Sequence, residues 1–168
     1  MKYVLFCLAV LLLPATARSE DSAKTIYGVY ERVILPEIQN KSVKAKLDTG
    51  AITTSLGASG IEIFEKDGQD FVKFTPQIEN AKEMELPLVR HSNIKLRNDE
   101  AISEEPGKSR RPVVIMNICF NGDIYATEVN LTDRSNFLYP VLLGRASLTD
   151  FHAIVDPSQK YLSSPSCQ

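Results

Sequence analysis

The 168-residue chain is 43% hydrophobic and 24% charged, the proportions of one ordinary globular domain, and its Gly 8 and Pro 9 exclude a collagen-like or low-complexity character. Lys+Arg 19 against Asp+Glu 21 gives a net charge of -2 with no long block of like charge, which excludes a basic groove for nucleic acid.

The chain opens as a secretory signal over residues 1–17. Lys2 precedes the apolar run Val4 to Leu13, and Pro14 and the small-residue triplet Ala15-Thr16-Ala17 follow as a cleavage site. The run is half of the ~20 residues that a membrane span needs, so no stable anchor is expected after cleavage. The mature protein is expected in the periplasm or secreted, as a single domain over residues 18–168. Cys7 is lost with the leader. Export leaves Cys119 and Cys167 in an oxidising compartment, where a disulfide is open to them but is not decided by their spacing. Both are equally readable as inert, Cys119 in an apolar strand and Cys167 in a Ser/Pro tail expected to fray.

β-branched and aromatic residues from Ile26 to Leu35 predict a strand that stops at Pro36. A second strand enters at Val43, with Val43, Ala45 and Leu47 on one face and Lys44 and Lys46 on the other, and runs into Asp48-Thr49-Gly50-Ala51. A hairpin from Ile61 to Phe74 turns at Asp67-Gly68, in a register that opposes Glu62 to Lys73 and Ile63 to Val72. Between Thr75 and Arg111, the short apolar pieces Met84 to Val89 and Ile94 to Leu96 precede a charged segment, residues 98–111, expected to be a flexible excursion.

Pro112 to Phe120 and Asp123 to Thr132 form a second hairpin about Asn121-Gly122. Tyr139 to Gly144 reads as a short buried strand, Arg145 to Asp150 has room for a turn or two of helix, and Asp156-Pro157-Ser158 reads as a turn. Many short strands, one short helix near the C-terminus and no βαβ alternation predict an all-β, closed or nearly closed barrel. No internal repeat is present.

Asp48-Thr49-Gly50 carries the chemistry. Leu47 precedes it, Ala51 follows it, and Leu142-Leu143-Gly144 comes later with Arg145 attached. This two-part pattern resembles the retropepsins, the single-domain aspartic peptidases. Their chemistry needs two carboxylates about 3 Å apart that share one proton, because like charges so close cannot both ionise. One activates water while the other donates to the substrate carbonyl. Glycine lets two such loops approach, and the threonine hydroxyl can bond across to the partner loop.

A wider resemblance runs from Gly28 to Leu162. Ala45 to Ala51, Arg111-Pro112-Val113-Val114, Leu131 to Ser135, Tyr139 to Arg145 and Val155 to Ser158 are similar to a bacterial retropepsin-like family often labelled ATP-dependent zinc proteases of the RimK-associated type. Some of its members are encoded beside an ATP-grasp ligase that adds glutamates to a ribosomal protein; the export signal argues against such a substrate here.

The resemblance implies a retropepsin-like barrel and an aspartic endopeptidase acting on peptide or protein substrates. It implies a homodimer too, because one chain holds one Asp-Thr-Gly and each subunit must supply an Asp48. Thr49, Gly50 and Ala51 would form the active-site loop, with Leu142, Leu143, Gly144 and Arg145 as the strand packed beneath it. An acidic optimum is expected, since one carboxyl must stay protonated. Where viral retropepsins carry an acidic residue that grips substrate backbone, this chain has Ile52. The flap over the cleft is either the Ile61 to Phe74 hairpin or the Thr75 to Arg111 excursion.

Neither metal nor cofactor is expected. His91 and His152 lie in no His-Glu-x-x-His, and Pro106-Gly107-Lys108-Ser109 lacks a phosphate loop's first glycine, with Ile102 in its place. His91 and Ser92 point to opposite faces of a strand, which argues against a serine nucleophile. Asp156 reads as a turn residue rather than a second catalytic carboxylate. Asp133, Arg134 and Arg145 are expected to form buried ion pairs that brace the aspartate loop. The rival to an enzyme is a periplasmic β-barrel that keeps the Asp-Thr-Gly loop to bind peptides without cutting them.

Overall fold

A computed structural model describes residues 23–95, 108–164, 166 and 167. The expected leader over 1–17, Cys7 and residues 98–107 of the expected excursion lie outside the described residues.

Period-two alternation builds the first wall. In β1 (Thr25–Leu35) Tyr27, Glu31, Val33 and Leu35 are buried, and in β2 (Lys41–Asp48) the predicted face of Val43, Ala45 and Leu47 is buried. The two pair antiparallel, Val33 opposite Val43. β2 then pairs in parallel with β9 (Val141–Gly144), which lies antiparallel to the start of β3 (Thr54–Lys66). β3 runs parallel to β8 (Asp123–Thr132), and β8 returns through the Asn121-Gly122 turn to β7 (Lys108–Phe120). A pairing of Ile34 with Cys119 closes β1-β2-β9-β3-β8-β7 into a six-stranded barrel. Its interior holds Leu35, Leu47, Leu56, Met116, Ile118, Leu131 and Leu143, each 2% exposed or less. Burial of each such side chain stabilises the barrel by about 1.5–3 kcal/mol.

The remaining elements decorate this barrel. β10 (Ala153–Lys160) lies parallel on β1, β6 (Arg90–Lys95) lies on β7, and β4 (Gln69–Pro76) and β5 (Met84–Pro87) extend the far half of β3 into a second small sheet. The one helix among the described residues, α1 (Arg145–Asp150), follows β9 directly. The hairpin register is the predicted one, with Glu62 opposite Lys73 and Ile63 opposite Val72.

Three expectations are corrected. Lys108–Arg111, assigned to the excursion, open β7 and pair with β6, Arg111 opposite Ser92. The turn at Asp156-Pro157-Ser158 sits inside β10: the Asp156 carboxylate accepts from Ser158 N at 2.8 Å and Oγ at 2.7 Å, and the register shifts opposite Gly28 and Tyr30. The C-terminal tail is not frayed. Buried Glu31 accepts from Gly28 N (2.6 Å), Leu162 N (3.0 Å), Ser163 N (2.9 Å) and Ser163 Oγ (2.9 Å), and Asn121 Oδ1 accepts from Ser164 N at 2.9 Å. Beyond these bonds Cys167 pairs with Cys119 as a disulfide, Cα to Cα 6.1 Å, so the pairing left open by the sequence is made.

Candidate active site

The parallel pairing of β2 with β9 sets Leu47 beside Leu143 and Asp48 beside Gly144. The Leu142-Leu143-Gly144 strand therefore lies directly against the strand that ends in Asp48. Gly144 is required by the approach of another backbone: a Cβ there would lie 2.6 Å from Ile52 O and 2.7 Å from Thr53 C.

The loop is held along its length. Gly50 N donates to Asp48 Oδ1 (3.0 Å) and Ala51 N to Asp48 O (3.3 Å). The first turn of α1 donates back, Arg145 N to Ala51 O (2.8 Å) and Ala146 N to Ile52 O (3.1 Å). Thr54 then bonds into the interior: its Oγ1 accepts from Gly144 N (3.1 Å), its hydroxyl pairs with Ser147 Oγ (2.6 Å), and its carbonyl accepts from Asn130 Nδ2 (2.9 Å). Thr54 and Ser147 were not singled out in the sequence; a Thr-Thr-Ser run after the motif reads as an ordinary polar loop.

While the base of the loop is fixed, its tip is open. Thr49 and Gly50 are exposed and Ile52 is 61% exposed. The Asp48 carboxylate is partly exposed, with Lys46 Nζ 3.7 Å from Oδ2. Among the described residues no second carboxylate bonds to it.

A cleft of about 640 Å³ adjoins the loop. Gly50 to Thr53 form one side, Ser55, Asn130 and Leu142 the floor, and Arg90 to Ile94 of β6 the other side, with Arg111 and Arg134. Of the two flap candidates, it is the excursion that reaches the cleft, through β6 and the start of β7; the Ile61 to Phe74 hairpin lines none of it.

Three arginines and no carboxylate are among these lining residues. Arg90 Nε donates to Glu128 at 3.0 Å. Arg134 is buried, its guanidinium 4.5 Å from the centre of the Phe137 ring and its Nε donating to Tyr139 O at 3.2 Å. Burial and then Arg111 lower its affinity for the proton while Asp48 raises it, and a guanidinium so placed remains a cation. His91 is held below the ordinary histidine range first by burial and then by Arg110, partly offset by Asp70. It bonds through Nδ1 to Arg110 Nη2 at 3.2 Å, not to Ser92, so neutral imidazole is the acceptor.

Asp48, Thr49, Gly50, Ala51, Leu142, Leu143, Gly144 and Arg145 are thus brought to one place. The expected ion pairs of Asp133, Arg134 and Arg145 are not formed. Arg145 is exposed and contributes its backbone N–H, while Asp133 accepts from Gln77 Nε2 (2.6 Å) and Ser135 N (2.8 Å), bonds that keep its carboxyl below the usual range. An exposed carboxylate already holding two donors has no need of the guanidinium. Asp156 is turned to Ser158 on β10. Among the described residues no three His, Cys, Asp or Glu side chains converge as a metal site.

The family described as RimB-like, the retropepsin-like aspartic endopeptidase RimB, matches residues 26–166. The chain belongs to this family. It is 31% identical over 143 residues to a probable alpha-L-glutamate ligase of Shewanella pealeana, covering 82% of this chain and 30% of that protein. A probable alpha-L-glutamate ligase of Desulfotalea psychrophila is 30% identical over 141 residues, with 83% and 30% covered. The chain therefore spans about 30% of the length of these relatives. A solved Legionella pneumophila protein of unknown function (DUF785) shares 35% identity and superposes with a TM-score of 0.66, over 86% of this chain and all of that one. The RimB-like match covers the barrel together with the Asp48 loop.

Proposed function

We propose that this RimB-like chain is an exported aspartic endopeptidase that acts as a homodimer, with one Asp48 from each subunit. The observation that carries the reading is the Asp48 loop itself: its base is clamped by β9, α1 and Thr54, while the carboxylate, Thr49 and Gly50 remain open to a second copy. In the pair, one carboxylate is ionised and accepts a proton from water; the other is protonated and donates to the scissile carbonyl oxygen. The water oxygen bonds to the carbonyl carbon. The tetrahedral species then collapses as the peptide nitrogen leaves with a proton returned by the dyad. One carboxyl of the pair must stay protonated for this step, which puts the optimum on the acid side of neutrality.

Acidic peptides are the substrates that suit this cleft. Arg111, buried Arg134 and Arg90, which is paired with Glu128, line it, and the ligase relatives are named for glutamate chemistry. The Val4 to Leu13 leader and the Cys119–Cys167 disulfide both support export.

A glutamate-rich peptide is expected to be cut about tenfold faster, as kcat/KM, than its serine-substituted twin at low salt, with the advantage shrinking as ionic strength rises. Equal rates would overturn the acidic preference. Binding without cleavage by the dimer would overturn the peptidase and favour a non-catalytic peptide-binding barrel.

A further inference from the structure

On the floor of the cleft two buried polar side chains each keep one atom without a hydrogen-bond partner among the described residues. Ser55 on β3 is 3% exposed and Asn130 on β8 is 2% exposed, and the two are paired in register across adjacent strands. Strand alternation turns their neighbours Leu56, Val129 and Leu131 into the core while Ser55 and Asn130 face the cleft. Asn130 Nδ2 donates to Thr54 O, which orients the amide. That leaves Asn130 Oδ1 and Ser55 Oγ without a partner among the described residues.

Buried, unsatisfied polar atoms are destabilising, and an apolar pair would pack this wall at no such cost. Their placement beside the Asp48 loop, rather than anywhere else in the barrel, points to a ligand. The set of groups defines its chemistry. Asn130 Oδ1 accepts only, the Ser55 hydroxyl donates or accepts, Arg134 donates, and Leu142, opposite Ser55 in register on β9, is apolar. The complement is a planar end group with one carbonyl oxygen and one N–H or O–H on a short methylene stem. A side-chain carboxamide has this form, and so does a carboxylic acid in its neutral state. A carboxylate alone leaves Asn130 Oδ1 facing negative charge.

We propose that Ser55 and Asn130 form the floor of a substrate side-chain subsite and are specificity-determining residues for a carboxamide or neutral carboxyl side chain near the scissile bond. The proposal rests on the cleft being the peptide channel, as in the preceding reading. The carbonyl of the incoming group accepts from Ser55 Oγ and the Arg134 guanidinium, and its N–H or O–H donates to Asn130 Oδ1.

The test uses the mature chain and peptides that differ at one position, carrying glutamine, glutamate or norleucine at each site flanking the cut. Each is made in cleavable form and as a non-cleavable statine analogue for calorimetric binding. At one position the wild-type protein is expected to favour glutamine over norleucine about tenfold or more, in binding and in kcat/KM, since a site built to hydrogen-bond rejects the analogue that cannot. The glutamine preference should be flat with pH. The glutamate peptide should gain on it as pH falls toward about 4.3, where its carboxyl becomes neutral. At that one position, a glutamate preference over glutamine that grows with rising pH would overturn the subsite and leave arginine charge as what reads the side chain.

Ser55→Ala is expected to collapse the glutamine-to-norleucine ratio toward one without lowering the melting temperature, because the hydroxyl it removes holds no partner among the described residues. An unchanged ratio overturns the subsite, and a lowered melting temperature with an unchanged ratio assigns Ser55 a structural role. Cleavage without side-chain discrimination overturns the subsite and leaves the peptidase standing. Ser55-dependent binding without cleavage keeps the subsite and overturns the peptidase.

Discussion

Asp48→Asn is expected to lower peptide hydrolysis at least about 10⁴-fold, the scale on which loss of an essential proton-transfer group is felt in an enzyme whose other groups remain. Asparagine is isosteric and its Oδ1 still accepts from Gly50 N, the 3.0 Å bond that turns the loop. It cannot accept a proton from water, and in a symmetric dimer both members of the dyad are lost at once. Stability should move within about 0.5 kcal/mol, because the one ion pair of the carboxylate among the described residues is with Lys46, at 3.7 Å on a solvated surface. Calorimetric melting and steady-state cleavage, measured on one preparation, check both halves. Residual activity within tenfold of wild type would remove Asp48 from the chemistry.

The largest stability effect is expected at Glu31. Replacing it by alanine leaves the N–H groups of Gly28, Leu162 and Ser163 and the Ser163 hydroxyl without their shared acceptor, in a site where the carboxylate is 0% exposed. Hydrogen bonds to a charged group contribute about 1.5–3 kcal/mol each, and they share one anchor, so the loss is expected at about 3–5 kcal/mol rather than their sum. Glu31→Gln keeps one carbonyl acceptor and should fall between. Urea unfolding measures the energy, and hydrogen exchange at Leu162 and Ser163 shows whether the tail lifts first. With the Cys119–Cys167 disulfide intact the tail stays tethered at its end, so exchange should accelerate at these two amides before global unfolding. A loss below about 1 kcal/mol would mean that the tail is not held by Glu31.

What was legible in the sequence was local or repeated every second residue. Asp67-Gly68 and Asn121-Gly122 marked both hairpins because positive φ at two successive residues is needed there, and all four have it: 53° and 77°, then 53° and 100°. The Asp48 loop and the Leu142-Leu143-Gly144 strand were legible as a pair because their residue types answer one geometric need, the close approach of Gly144 to Ile52. The start of β3 was not. Thr54 to Gly60 is rich in small residues and glycine, and it is a strand because β9 and β8 pair with it on either side.

Glu31, Ser55 and Asn130 are not legible in the sequence for a similar reason. Each has the composition of a solvent face, and what buries it lies far along the chain: Ser163 is 132 residues from Glu31, and Thr54 is 76 from Asn130. Glu31 did carry a signal, since alternation with Tyr27, Val33 and Leu35 puts it on the inward face of β1. The expected Asp133, Arg134 and Arg145 ion pairs failed because opposite charges close in sequence can each be satisfied by neutral partners, here Gln77, Ser135 and the Tyr139 carbonyl.

The central claim is that two Asp48 side chains meet. The most direct measurement is a crystal structure of the mature chain bound to a statine peptide, with the mass of the same complex taken by sedimentation. The account predicts a dimer with one inhibitor, its hydroxyl between two Asp48 carboxyl groups about 3 Å apart on a two-fold axis. An Asp48 with no carboxylate partner, or one inhibitor bound to each separate chain, would contradict it.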